Sequence, residues 1–232
     1  MARPLDLEEQ EQLAEIKHFW SQYGNLITWA VIAVFGSIAA WNGWQYWQRT
    51  EAVQAAAMYD EIERAAVAGD TQRVERAFSD MKDKFGGTAY AQQAALLAAR
   101  ALVDKGNADG AKAALAWVAD KASDEGYQAV ARLRLAALLA DAKAYDDALK
   151  QLAAGFPREF EALAADRRGD IYNVQGKKAQ AKDEYVKAYK SLDDRSDYRR
   201  LLEVKLSALG VDPQQLAAPP AAAGAASGAA KS

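Results

Sequence analysis

Two pairs of adjacent carboxylates, Asp146–Asp147 and Asp193–Asp194, and the single histidine, His18, are the side chains whose types could carry acid–base chemistry. Neighbours in sequence on a helix point to different sides, so neither pair converges on one proton. Both pairs read as helix-start residues, where carboxylates complement the macrodipole. His18 borders a long uncharged stretch and reads as a solvated flanking residue. The chain has no cysteine, which removes thiolate nucleophiles, disulfides, zinc sites built from Cys and His, and any triad built on them. Zero cysteine fits oxidising and reducing compartments alike. No glycine-rich phosphate loop is present. The expectation is a protein without catalytic residues, cofactor or metal, and so not an enzyme.

The charges point away from nucleic acid as well. Of the formal net charge of −3, the excess falls at the N-terminus, where Arg3 and Lys17 face Asp6, Glu8, Glu9, Glu11 and Glu15. The remaining charges balance and are interspersed, whereas phosphate binding needs a concentrated basic face.

The elements that would position any site begin with an apolar segment. Residues 29–48 read WAVIAVFGSIAAWNGWQYWQ and hold four of the six tryptophans, and no charged residue lies between Lys17 and Arg49. As a helix, residues 24–47 run roughly 36 Å, enough to cross a hydrocarbon core of about 30 Å with some tilt. Trp20 and Tyr23 sit at one end, with Trp41, Trp44, Tyr46 and Trp47 at the other. Rings at both ends are the arrangement expected at two headgroup layers of a lipid bilayer. Ser37-Ile38-Ala39 resembles a cleavage site, but the leader is acidic rather than basic, long, and patterned as its own helix. Cleavage would also leave an exposed AWNGWQYW start. The segment therefore reads as an uncleaved single-pass anchor.

Ahead of it, Asp6 and Glu9 form a capping-box-like pair opening a helix with Leu13, Ile16 and Trp20 on one face. That helix either lies on the membrane surface or leads directly into the span. Arg3 and Lys17 before the span and Arg49 and Arg64 after it leave positive-inside counting tied. Along the span, Ala33, Gly36, Ser37, Ala40 and Gly43 share a face, a candidate docking face where another helix can approach closely. The competing account is that small residues are common in spans.

From residue 50 to about 209 the pattern is one of short amphipathic helices, with turns at Ala68-Gly69-Asp70, Gly86-Gly87, Lys105-Gly106-Asn107 and Gln175-Gly176-Lys177. LLAARALVDKGNADGAKAAL (96–115), LRLAALLADAKAYDDALKQL (133–152) and DRRGDIYNVQGKKAQAKDEY (166–185) align without gaps, at spacings of 37 and 33 residues. Small residues match at Ala99, Ala136 and Gly169, and at Ala111, Ala148 and Ala181. Large ones match at Leu102, Leu139 and Tyr172, and at Leu115, Leu152 and Tyr185; the turn carries Gly106, Lys143 and Gly176. Small facing small permits close helix crossing while the large residues fill the layer between. This is the pattern of the tetratricopeptide repeat, with Arg168 standing where its consensus has leucine.

Residues 51–85 read as a weaker copy, with Gly69 at the turn and Val74, Phe78 and Met81 on the second helix. A final helix, Ser196 to Leu209, is expected to cap the stack through Tyr198, Leu201, Leu202 and Leu209, with Gly210 as a stop. The fold expected is all-α: a cytoplasmic tail with an amphipathic helix (1–23), a transmembrane helix (24–47), a tetratricopeptide-repeat-like solenoid with a capping helix (48–210), and a disordered Ala/Pro-rich tail (211–232).

Such a stack has a concave side lined by the first helix of each pair. Its consensus groove positions fall on Gln93, Arg100, Arg134, Arg167, Asp170 and Asn173, with Leu96, Leu133 and Leu163 between them. Arginines amid apolar residues grip peptide segments through carboxylates and backbone carbonyls, though ordinary solvated charge is the plainer account. Trp117, on the second helix of a pair, reads as core.

Anchor and repeats together make the chain similar to a bacterial family, the ancillary SecYEG translocon subunits. The resemblance rests on an acidic tail ending in IKHFWSQYGN, an anchor closing with WQYW, and degenerate repeats containing LVDKG, AVARLRLA, DRRGDIY and QGK, and it covers roughly residues 8 to 210. It implies a single-pass protein of the bacterial inner membrane with its N-terminus cytoplasmic and its repeats periplasmic. It further implies partners: the SecYEG translocon, a membrane-anchored periplasmic chaperone of the prolyl-isomerase type, and translocating polypeptides handed on to chaperones. The family supplies no catalytic residues. Two other readings remain, an assembly scaffold for another envelope complex and an enzyme with a carboxylate-only site, which requires a pocket of convergent acids.

Overall fold

The computed structural model describes residues 7–193, 195–213 and 216. Among the described residues the chain forms nine helices joined by short turns, with no strand. It divides into two compact units, Met1–Gln54 and Ala55–Ser232.

The first unit is built from helix α1, which is continuous over Leu7–Ala68. No break separates the amphipathic segment from the span, so the former leads directly into the latter. Asp6 and the side chains of Glu9 and Ile16 lie outside what is described. Over Lys17–Ala68 the helix is long and apolar enough to cross a membrane, with a mean hydropathy of 1.6 in its most apolar window and only 6% of that window buried. A core helix of that composition would be covered by protein; this one presents Leu26, Trp29, Ile32, Phe35 and Ile38 outward. The end aromatics pair along the helix, Phe19 with Tyr23 at 5.1 Å and Trp44 with Trp47 at 5.6 Å between ring centroids. The division between units falls after Gln54, a few residues beyond the end of the expected span.

The second unit takes the last stretch of α1, from Ala55, and pairs it with α2 (Thr71–Phe85). Then come α3 (Ala89–Asp104) with α4 (Ala108–Lys121), α5 (Glu125–Asp141) with α6 (Tyr145–Ala153), α7 (Arg158–Val174) with α8 (Lys178–Ser191), and α9 (Tyr198–Ala208). These are the repeats and cap read from the sequence. Side-chain caps start several helices: Asp70, Thr88, Asn107 and Asp124 accept from the backbone N–H three residues on. Asp146 and Asp147 do lie in the first turn of α6. Asp193 does not open a helix; it sits in the α8–α9 connection and accepts from Arg195 N, a local turn that competes with helix. Asp194 lies outside the described residues.

All six matched small positions are buried: Ala99 with Ala111, Ala136 with Ala148, Gly169 with Ala181. Leu102, Leu115, Leu152 and Tyr185 are buried beside them. A Cβ built on Gly169 would lie 2.5 Å from the Tyr185 ring, so α7 and α8 meet more closely than an alanine permits. Val74, Phe78 and Met81 are buried on α2, and Trp117 packs partly buried with its ring edge-on to Phe78 at 5.8 Å.

Three of the four side chains expected to cap the stack do so; Leu201 does not, and Leu206, outside that set, takes its place. Leu202 and Leu206 are the fully buried side chains of α9, whereas Leu201 is 46% exposed. Tyr198 and Leu209 pack partly buried as expected. The expected disordered tail lies outside the described residues, apart from Val211–Pro213 and Leu216, of which Val211 and Leu216 pack against the last core.

The turn between paired helices has one register throughout: Gly69, Lys143, Gly106 and Gly176 all adopt left-handed φ, at 71°, 60°, 78° and 75°. Lys143 alone carries a side chain there, where a Cβ crowds the following carbonyl at a cost of roughly 1–2 kcal/mol. Replacing Lys143 with glycine is expected to raise stability by up to about 1 kcal/mol, the strain relief being partly offset by a freer unfolded chain. Gly176→Ala is expected to lower it by about 1–2 kcal/mol. Urea midpoints of the two variants moving in the same direction would contradict this account.

Candidate partner-binding surface

The first helices of the pairs carry the expected groove residues. Gln93, Arg100, Arg134, Arg167 and Asn173 are exposed on α3, α5 and α7, and Asp170 is half-buried. Gln93 Nε2 donates to the Tyr127 hydroxyl at 2.8 Å, a bond that ties α3 to the start of α5. Arg100 lies 3.9 Å from Asp104 one turn on, a solvent-screened pair of little energetic weight. Arg167 approaches Asp170 at 4.0 Å. Leu96, Leu133 and Leu163 are half-buried between these polar groups.

Asp170 is not the free groove carboxylate that alignment with the repeat suggests. Its Oδ1 accepts from Lys205 Nζ at 2.6 Å and from the Tyr185 hydroxyl at 2.8 Å. One turn earlier, Asp166, 3% exposed, accepts from Lys205 Nζ at 2.7 Å and from the Tyr198 hydroxyl at 2.6 Å. Lys205 also stands over the Tyr185 ring, 5.2 Å from its centroid. Three helices, α7, α8 and α9, thus meet in one polar network. Its members lie up to 39 residues apart, beyond the reach of any local motif.

This is also where two carboxylates converge, the arrangement an acid–base site would need. Here the ammonium group lies between them and each takes a phenol hydrogen bond, so both are held as ion-pair acceptors. Among the described residues no cluster of three or more His, Cys, Asp or Glu side chains is placed to hold a metal. Arg168, which replaces the consensus leucine, donates from Nε to Glu184 on α8 and from Nη1 to the Leu152 carbonyl at the end of α6, both at 2.8 Å. An arginine there joins consecutive repeats by hydrogen bonds where leucine would do so by packing.

On the span, Gly36 and Gly43 have no neighbouring atoms within 4 Å of a built Cβ, so the small-residue face offers open room. Ser37 Oγ donates to the Ala33 carbonyl at 2.7 Å, within its own helix. Thr28 does likewise to Gly24 and Thr50 to Tyr46.

Burial, reinforced by the bond to Asp170, pushes the Tyr185 phenol well above its ordinary value. Burial and the bond to Asp166 do the same to Tyr198. A pKa raised on folding means that the contribution is complete below about pH 10 and lost as pH rises beyond it, because the unfolded chain ionises first. The urea midpoint is expected to fall above about pH 10, and to fall less steeply when Tyr185 and Tyr198 are both phenylalanine. An unchanged alkaline slope in the double variant would refute the assignment.

Comparison with known proteins follows the same outline. A family model described as a tetratricopeptide repeat-like domain matches residues 17–211. The ancillary SecYEG translocon subunit of Neisseria gonorrhoeae is 30% identical over 208 residues, covering 88% of this chain and 98% of that protein. The protein of the same name from Haemophilus influenzae is 29% identical over 185 residues, covering 80% of this chain and 90% of that one. Its Escherichia coli counterpart is 28% identical over 206 residues, covering 88% and 97%. No solved structure gives a significant match.

Proposed function

The chain belongs to the tetratricopeptide repeat-like family of ancillary SecYEG translocon subunits, and from that membership we propose that it is a non-catalytic, membrane-anchored adaptor at the SecYEG translocon. In this reading it helps pass newly translocated proteins to periplasmic chaperones through protein contacts of its repeat unit. The observation that carries the proposal is end-to-end correspondence: 98% of the Neisseria relative aligns with 88% of this chain. A repeat domain alone would say little about the partner, because folds of this kind host many.

The proposed topology is that of a single-pass inner-membrane protein, N-terminus cytoplasmic and repeats periplasmic. Its partners are the translocon, a membrane-anchored prolyl-isomerase-type chaperone and translocating polypeptides. The span's outward aromatics and apolar residues favour lipid as its solvent. Its proposed docking face toward the channel is Ala33, Gly36, Ser37, Ala40 and Gly43, where a partner helix approaches over open glycines. The proposed groove for polypeptide or chaperone is the exposed set Gln93, Arg100, Arg134, Arg167 and Asn173, with Asp170 contributing only the edge its internal bonds leave open.

Photo-crosslinkers placed at Gly36 and at Arg134 in the full chain test the reading in cells. Channel subunits are expected from the first position and chaperone or nascent polypeptide from the second. Recovery of an unrelated envelope complex from both would replace the adaptor with an assembly scaffold. Arg100→Glu combined with Arg167→Glu is expected to cut groove crosslinks several-fold while circular dichroism stays that of the parent; undiminished crosslinking returns those arginines to solvated charge. Topology is checked separately: protease outside spheroplasts is expected to digest residues 50–232, and full protection would reverse the orientation.

A further inference from the structure

The capping helix α9 is the last helix of the repeat unit among the described residues. It contributes two fully buried side chains, Leu202 and Leu206. Like α6, α7 and α8, it has no side-chain bond at its N-cap, so its first turn lacks the support that Asp70, Asn107 and Asp124 give their helices. Leu202 and Leu206 share one apolar cluster with Ala165 of α7 and Tyr185 of α8, and polar bonds to α7 add to it: Tyr198 to Asp166, and Lys205 to both Asp166 and Asp170. A further hydroxyl bond runs from Tyr189 on α8 to Glu203 at 3.3 Å. A terminal helix with few buried apolar contacts lies at the low end of local stability.

Its seat is shaped for one kind of occupant. The floor is the buried set Ala165, Tyr185, Ala188 and Tyr189, with Asp166 and Asp170 at the edge, two carboxylates met by a single lysine. The stripe that α9 lays on it is Tyr198, Leu202, Lys205, Leu206 and Leu209, at i, i+4, i+7, i+8 and i+11 along one helical face. The seat therefore selects an amphipathic helix with aliphatic side chains and a cation placed over the paired carboxylates.

We propose that α9 is a latch that opens independently of the repeats, and that its seat on α7 and α8 is a binding site for a cationic amphipathic helix of a partner protein. A helix presenting the same stripe competes with α9 for Asp166 and Asp170. Because it runs across α7, the bound helix takes the end of the repeat stack that the chain's own cap otherwise closes. The inference concerns this chain alone and stands whether or not the translocon is the partner.

Native-state hydrogen exchange on the full chain, read segment by segment, tests both halves. The α9 amides are expected to exchange at least about tenfold faster than those of α3 and α4. Lys205→Met is expected to accelerate α9 by a further tenfold or more, since it strips the cation from a buried carboxylate, while α3 and α4 stay as they were. An excess of a synthetic peptide of residues 196–211 is expected to speed α9 exchange and to protect the α7 and α8 seat, and the same peptide with Lys205→Met to do neither. Exchange of α9 in step with α3 and α4, or equal acceleration of both by Lys205→Met, would show global opening and overturn the latch. A latch that opens with no response to the peptide would overturn the binding site.

Discussion

Close approach between paired helices is the constraint on which the repeat unit rests. Small buried residues, Ala99 and Ala111, Ala136 and Ala148, Gly169 and Ala181, stand on the two helices of each pair, with Leu102, Leu115, Leu152 and Tyr185 buried beside them. The Tyr185 ring lies 2.5 Å from where a Cβ on Gly169 would be. Everything else follows from that spacing. The turn must reverse the chain within a few residues, which is why its register is left-handed at each pair and why even Lys143 is forced into it. The first helices are then free to face outward along one side, and the groove residues come with them.

Much of this was legible in sequence because it is local and periodic. Glycine turns, small and large positions, and the two-ended aromatics of the span all lie within a few residues of one another. The family could be read from the order of those elements. Three features could not. On α9, Leu201 and Leu206 both neighbour the stripe of Tyr198, Leu202 and Leu209, and only packing on α7 and α8 buries Leu206 and leaves Leu201 out. Asp170 was placed in the groove by its repeat position, but Lys205, 35 residues away, takes its charge. Arg168 was visible as a departure from the repeat consensus, yet its partners, Glu184 and the Leu152 carbonyl, belong to two other helices.

The two anomalies near the C-terminal end share a logic. The N-terminal repeats join through alanine-rich apolar surface; the last repeat has apolar clusters too, and adds Arg168 on one side and Asp166, Asp170 and Lys205 on the other. Breaking one of these pairs leaves a partly buried charge uncompensated, so each ties its helices to one geometry.

The hydroxyls of the membrane-spanning helix have a consequence of another kind. Thr28, Ser37 and Thr50 each spend their proton on a carbonyl of the preceding turn. Thr28 and Ser37, both inside the expected span of residues 24–47, therefore need no acceptor from outside their own helix where water is absent.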